Sequence, residues 1–143
     1  MNIDKHFKHL INLAECIEEP VKCFRLAAGI IHRNMLVSTG VNSYKTDPFQ
    51  ARFGSTSHAI HLHAEVAAIK SALRKLSVDE LQKATLVVVR VKKKENNRTY
   101  RATMAKPCVG CQRCLAEFGI KNVFYSGECG GIYQLWGVTL LVL

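Results

Sequence analysis

The chain has 143 residues, 48% hydrophobic and 22% charged, with 9 Gly and 3 Pro. That composition suits one compact domain over residues 1–143 and excludes a disordered, collagenous or repeat protein. A formal net charge of +9 favours anionic partners, whether phosphorylated small molecules, nucleic acid or an acidic surface, without choosing among them.

Residues 2–17 place Ile3, Phe7, Leu10, Ile11, Ala14 and Ile17 on one helical face, and Glu18-Glu19-Pro20 ends the run. Residues 24–32 and 35–41 read as short strands, with Arg33-Asn34 as the turn of an antiparallel hairpin. Residues 42–58 are polar, broken by Asp47-Pro48 and Gly54-Ser55, and make a loop long enough to be functional. A helix over 63–76 follows from the spacing of Val66, Ile69, Ala72, Leu73 and Leu76.

The β-branched run 86–91 predicts a buried central strand. Residues 92–98 form an exposed turn and 99–104 its returning strand. Pro107 opens a helix that runs to about residue 118, where Gly119 stops it. Strands over 120–125 and 132–136 have only residues 127–131 between them, too few for a crossover helix, so this pair is antiparallel. The order α-β-β-α-β-α-β-β predicts an α/β fold with helices over the faces of a sheet.

Residues 137–143 are apolar but far short of the roughly 20 residues that cross a bilayer. They are expected to be buried against the body or a second subunit. The first residues carry no secretory pattern, so a cytoplasmic protein without membrane association is expected.

Chemistry concentrates in His63-Ala64-Glu65 and Pro107-Cys108-Val109-Gly110-Cys111. Three of the 6 cysteines, Cys108, Cys111 and Cys114, crowd together, which in such a chain points to metal or redox chemistry rather than disulfides. One helical turn brings the sulfurs of Cys108 and Cys111 to the same side, and the positive end of that helix favours thiolates. His63 supplies a third ligand. Zinc takes imidazole and thiolate, and catalytic zinc sites keep a fourth position for water, whose pKa falls to about 7 there. Glu65, two residues past His63, reaches such a site only if the metal lies at the helix's N-terminal end. Its role is then to take the water's proton and pass it to a leaving amine. Cys114, one turn beyond Cys111, is either a buried core thiol or the fourth ligand of a structural zinc.

The pattern His-x-Glu…Pro-Cys-x-x-Cys is recognised as a signature of zinc-dependent base deaminases. On these residues the chain, from about Phe24 to Trp136, resembles the cytidine deaminase-like superfamily. The resemblance implies a three-layer α/β/α fold around a five-stranded mixed sheet, with both metal-bearing helices on one face. It implies one zinc ion per chain on His63, Cys108 and Cys111, Glu65 as proton shuttle, and a homo-oligomer. Asn42, shortly after the second strand, matches a substrate-contacting position, and is equally readable as a turn residue capping the strand; Ala64 and Pro107, beside the ligands, join it as substrate-binding candidates. Lys45, Arg52 and Arg33 are candidates for phosphate contacts, and Phe49 and Phe53 for stacking on a base. Residues 91–105, with Lys92, Lys93, Lys94, Arg98 and Arg101, form a basic hairpin insertion. His61 reads as a loop or cap residue, and His6, His9, His32 and His58 as surface or satisfied histidines. Tyr125, Tyr133 and Trp136 are expected to pack in or beside the sheet.

The expected activity is hydrolytic deamination of a cytosine nucleoside or nucleotide, of the (deoxy)cytidine or dCMP type, to the uracil form with release of ammonia. An antiparallel last strand pair favours a small-molecule substrate within the superfamily, and the charge tilts the choice towards a phosphorylated one. The alternatives are a cytosine or adenine deaminase of single-stranded DNA or RNA that uses the basic hairpin, and a non-catalytic zinc-stabilised binding domain. The last requires Cys114 to complete the metal shell or the pocket to be closed.

Overall fold

The computed structural model describes residues 2–53, 61–96 and 98–135. His58, Trp136 and the apolar residues 138–143 lie outside the described residues. Helix α1 (Ile3–Glu15) starts at Asn2, whose side chain accepts the Lys5 N–H. Strands β1 (Arg25–His32) and β2 (Met35–Val41) form the expected hairpin. Its turn residues Arg33 and Asn34 have φ of 53° and 65°, the left-handed pair a two-residue hairpin turn requires.

The segment expected to be loop contains a short helix α2 (Pro48–Ala51). Asp47-Pro48 starts that helix instead of breaking the chain. Asp47 is its N-cap, accepting from the N–H groups of Phe49 and Gln50, and Pro48 follows, where a missing N–H costs nothing. Helix α3 (Ala64–Ala72) ends before the expected Leu76, and α4 (Val78–Gln82) starts from a capping box of Ser77 and Glu80.

Strand β3 (Thr85–Lys93) is the buried centre, flanked by β4 (Tyr100–Thr103). After α5 (Val109–Glu117) come β5 (Asn122–Ser126), a 3₁₀ turn at Glu128–Gly130, and β6 (Ile132–Gln134). The sheet order is β2-β1-β3-β5-β6, with β4 also on β3. The expected five strands are therefore six. The reason lies in β3, which is longer than β5: Thr85–Val88 pair with β5 in parallel, and Arg90–Lys93 pair with β4 antiparallel. Strand β4 covers the part of that edge that β5 leaves free. The last pair, β5 and β6, is antiparallel as expected.

Side-chain alternation sends the two faces of the sheet to separate cores. Ala28, Ile30, Leu86 and Val88 pack under Val66, Ile69 and Leu115, residues of α3 and α5. Ala27, Ile31, Val87, Val89 and Val91 pack against Phe7, Leu10 and Ala14 of α1. This is the α/β/α layering, with both metal-bearing helices on one face. Ser126 fastens the place where β4 and β5 diverge. Its hydroxyl donates to the Thr103 carbonyl and accepts the Arg90 N–H, while its carbonyl accepts the Ala105 N–H. The strand leading towards Cys108 is thereby pinned to β3 and β5. Among the described residues no helix is long and apolar enough to cross a membrane.

Candidate metal centre and its cavity

His63 and Cys108 occupy equivalent places, each the N-cap of its helix with extended backbone, at φ −85° and ψ 152° for His63 and φ −68° and ψ 169° for Cys108. Neither side chain caps the helix it begins. The sequence pattern put Pro107 at the first helical position, whereas the helix begins two residues later at Val109, with Cys108 as its N-cap, because the Cys108 carbonyl accepts the first helical bond, from Gln112 N–H. Both helix N-termini, with their partial positive charge, thus meet at one point.

The His63 ring nitrogen Nδ1 lies 3.6 Å from the Cys108 sulfur and 3.3 Å from the Cys111 sulfur. All three potential donor atoms fall within 4.8 Å of one another. Tetrahedral zinc, with Zn–S of about 2.3 Å and Zn–N of about 2.0–2.1 Å, sets nitrogen–sulfur edges of roughly 3.5 Å. The donor set and its spacing therefore fit zinc. Cys114 is wholly buried and outside this group; burial pushes its thiol up to about 12, so it stays a neutral core residue.

The Cys111 thiol, donating a hydrogen bond to the Cys108 sulfur, holds Cys108 down at about 4 despite burial, and His63 acts in the same direction. The same bond, with burial, pushes Cys111 well above the usual thiol range. A metal ion at this point deprotonates a ligating thiol outright. Contact with Cys108 raises His63. Glu65, in the first turn of α3, is 4% exposed, and burial raises its carboxyl above the ordinary value.

His63, Glu65 and Cys108 border a cavity of about 360 Å³. Asn42 and Ala64 line it too. The Asn42 side chain accepts the Leu26 N–H and donates to the Phe24 carbonyl, each at 3.0 Å. That leaves one lone pair and one N–H for another partner. Pro107 is buried with its carbonyl bonded to the Gln112 amide, and is not part of the cavity wall.

The other candidates are placed elsewhere. Lys45 borders a separate shallow groove. Phe49 packs against Phe53 and Phe118, while Arg52 pairs with Glu117 at 2.9 Å and lies over both loop phenylalanines. Arg33 sits in the β1–β2 turn. The side chains of Phe49 and Arg52 staple the loop to the C-terminal end of α5. His61 does line the cavity, its Nδ1 at 2.9 Å from the Tyr44 carbonyl.

Several site residues were missed in the sequence. Gln50 is 1% exposed and accepts the His63 backbone N–H at 3.0 Å, so α2 positions a ligand of the metal. The Asp47-Pro48 cap signal was its visible trace. Phe24, Arg90 and Lys106 also line the cavity, and for Arg90 the trace was the alternation of β3.

Residues 1–127 match the family model described as the cytidine and deoxycytidylate deaminase zinc-binding region. The chain belongs to that family, a group of zinc-dependent deaminases. No curated protein sequence matches it at a significant level. Solved structures of the same fold include cytidine deaminase from Burkholderia pseudomallei, at TM-score 0.68 and 17% identity over 99% of this chain and 96% of that one. Cytidine deaminase from Mycobacterium leprae gives TM-score 0.58 and 18% identity over 99% and 98%. The dCMP deaminase of cyanophage S-TIM5 gives TM-score 0.58 and 16% identity over 88% and 82%.

Proposed function

We propose that residues 1–143 act as one hydrolytic deaminase domain that converts a cytosine nucleoside or nucleotide, of the (deoxy)cytidine or dCMP type, to its uracil form and ammonia. The observation that carries this reading is the convergence of His63, Cys108 and Cys111 within 4.8 Å beside the buried carboxyl of Glu65 on the wall of one cavity. In this reading the three donors hold one zinc ion, which supplies the Lewis acidity that makes water a nucleophile near neutral pH.

Glu65 takes a proton from the water that adds at C4 of the ring and delivers it to N3, then takes the proton of the C4 hydroxyl and delivers it to the amine as the C4–N bond breaks and the C4 carbonyl forms. A carboxyl raised by burial suits both directions of transfer. Ala64 borders the ring, and the free N–H and lone pair of Asn42 contact the sugar. The dCMP deaminase of cyanophage S-TIM5 has been solved in complex with dCMP and dUMP, which supports including nucleotides among the candidates. The proposal extends to a homo-oligomer, supported by the exposed Ile132 and Tyr133 on edge strand β6; light scattering after size exclusion measures it.

The test is ammonia release from cytidine, deoxycytidine, CMP, dCMP, adenosine, guanine and single-stranded oligonucleotides by the zinc-loaded protein. Turnover of a cytosine nucleoside or nucleotide is expected. Activity on adenosine, guanine or oligonucleotides alone would replace the substrate, and activity on none would remove the reading.

A further inference from the structure

Arg90 interrupts the apolar run of β3. Leu86 and Val88 face the core under α3 and α5, and Val87, Val89 and Val91 face α1. Period-two alternation therefore turns Arg90 to the metal-bearing face, one step beyond Val88. There it lines the same cavity as Glu65 and His63, its guanidinium 4.0 Å from the centroid of the Phe24 ring.

Among the described residues no carboxylate pairs with it. Among the described residues the ion pairs are Arg52–Glu117 and Lys70–Asp47. Among the described residues Glu65, at the metal end, is the only acidic one lining the cavity, whereas Lys22 and Lys106 line it along with Arg90. Thr103 is the cross-strand partner of Arg90, and its buried hydroxyl has no hydrogen-bond partner among the described residues. A half-buried guanidinium without a counter-charge is costly, and it is retained at low cost where a ligand supplies the charge.

A tight turn fixes the mouth of the cavity. Lys22 and Cys23, at φ 50° and 67°, form a left-handed two-residue turn like Arg33-Asn34, closed by the Val21–Phe24 bridge and by the Lys22 N–H donating to the Tyr44 hydroxyl. That turn carries both Lys22 and the ring on which Arg90 lies.

We propose that Arg90, braced on Phe24 and flanked by Lys22 and Lys106, is an anion subsite that takes the phosphate of a mononucleotide. The substrate is then the nucleotide in preference to the free nucleoside, a refinement that rests on the deaminase reading above. A planar guanidinium matches two phosphate oxygens at once. Arg90 projects into the cavity wall rather than along an outer face, a place suited to one terminal phosphate rather than to a strand passing across the surface.

The experiment compares kcat/KM for dCMP and deoxycytidine in the zinc-loaded wild type, Arg90→Gln, Lys106→Gln and, as a charge control far from the cavity, Lys83→Gln. Charge-assisted bonds of this kind predict a wild-type preference for dCMP of at least about 10-fold, and a similar fall in that ratio for Arg90→Gln. Lys106→Gln lowers the ratio less, and Lys83→Gln leaves it alone. A wild type that prefers deoxycytidine, or an equal loss on both substrates in Arg90→Gln, overturns the proposal. So does preference for a single-stranded oligonucleotide with steep salt dependence.

Calorimetric titration with dUMP and deoxyuridine provides a readout without turnover. Tighter binding of dUMP, lost in Arg90→Gln, is expected, and equal binding of the two overturns the subsite. If no substrate releases ammonia, the deaminase reading fails and the titration alone decides on the subsite.

Discussion

Replacing Gly40 by alanine drives a methyl group into the helix that carries the metal site. Gly40 lies on β2 directly beneath α3, and a Cβ there would stand 2.5 Å from the Ala68 nitrogen, 2.7 Å from the Ala64 carbonyl oxygen and 2.7 Å from the Ala67 Cβ. Ordinary contact starts at 3.4 Å, so α3 must retreat by about 0.7–0.9 Å in a close-packed interior. Two of the three obstacles are backbone atoms, so no rotamer change relieves the clash. Overpacking of this kind costs about 1–3 kcal/mol, which for a chain of this size lowers Tm by roughly 3–10 °C. The same shift moves His63 and Glu65 relative to the cysteines of α5, and a misplacement of about 1 Å costs on the order of 10²-fold in rate. Differential scanning fluorimetry, zinc competition with a chromophoric chelator, and kcat/KM on the best substrate measure the three consequences. A Gly40→Ala protein with unchanged Tm and unchanged zinc affinity would refute the claim that β2 sets the position of α3.

Three other outcomes are expected. Glu65→Gln keeps one zinc per chain by elemental analysis but loses about 10²- to 10⁴-fold in kcat, the usual worth of a positioned acid–base group. Gln50→Leu strands the His63 N–H that Gln50 accepts at 3.0 Å, costing about 1–3 kcal/mol in chemical denaturation and weakening zinc retention against the same chelator. Asp47 bonds Lys70 at 2.6 Å, and that bond, reinforced by the N–H groups of Phe49 and Gln50 against the effect of burial, lowers its pKa below 3.8. A depressed folded-state value means the stabilisation is present above the unfolded value and lost as pH falls through the folded one. Urea melts should therefore show Asp47→Asn less stable than wild type at pH 7, with the gap closing below the ordinary aspartate range.

The parts of the fold that were legible in the sequence are those set by local pattern. The alternating β-branched run of β3, the apolar stripe of α1 and the two-residue β1–β2 turn each carry their own signal. The metal centre was legible for the same reason: Cys108 and Cys111 are one helical turn apart, and the two-residue step from His63 to Glu65 makes sense only at a helix start, which is where the structure puts them. Helices α2 and α4 had signals as well, in the Asp47-Pro48 cap and in the Ser77…Glu80 box, but the first resembled a chain break and the second was hidden in the tail of a longer helical pattern.

Long-range packing was not legible. Phe49 and Arg52 look like ligand contacts in a polar loop, and only the fold reveals Phe118 and Glu117 as their partners. The sixth strand depends on how much of β3 is left uncovered by β5, a matter of register between distant segments. Arg90 was visible as a charge, but its face follows from the strand's alternation and its importance from Phe24, far away in sequence and brought across by β1 pairing with β3.

The central claim is that one imidazole nitrogen and two thiolates hold zinc with a fourth corner open beside Glu65. Zinc K-edge X-ray absorption on the purified holoprotein reads this shell directly. The account predicts two sulfurs at about 2.3 Å and two lighter nitrogen or oxygen neighbours at about 2.0–2.1 Å. A shell with three sulfurs, or a protein that binds no zinc, would contradict it.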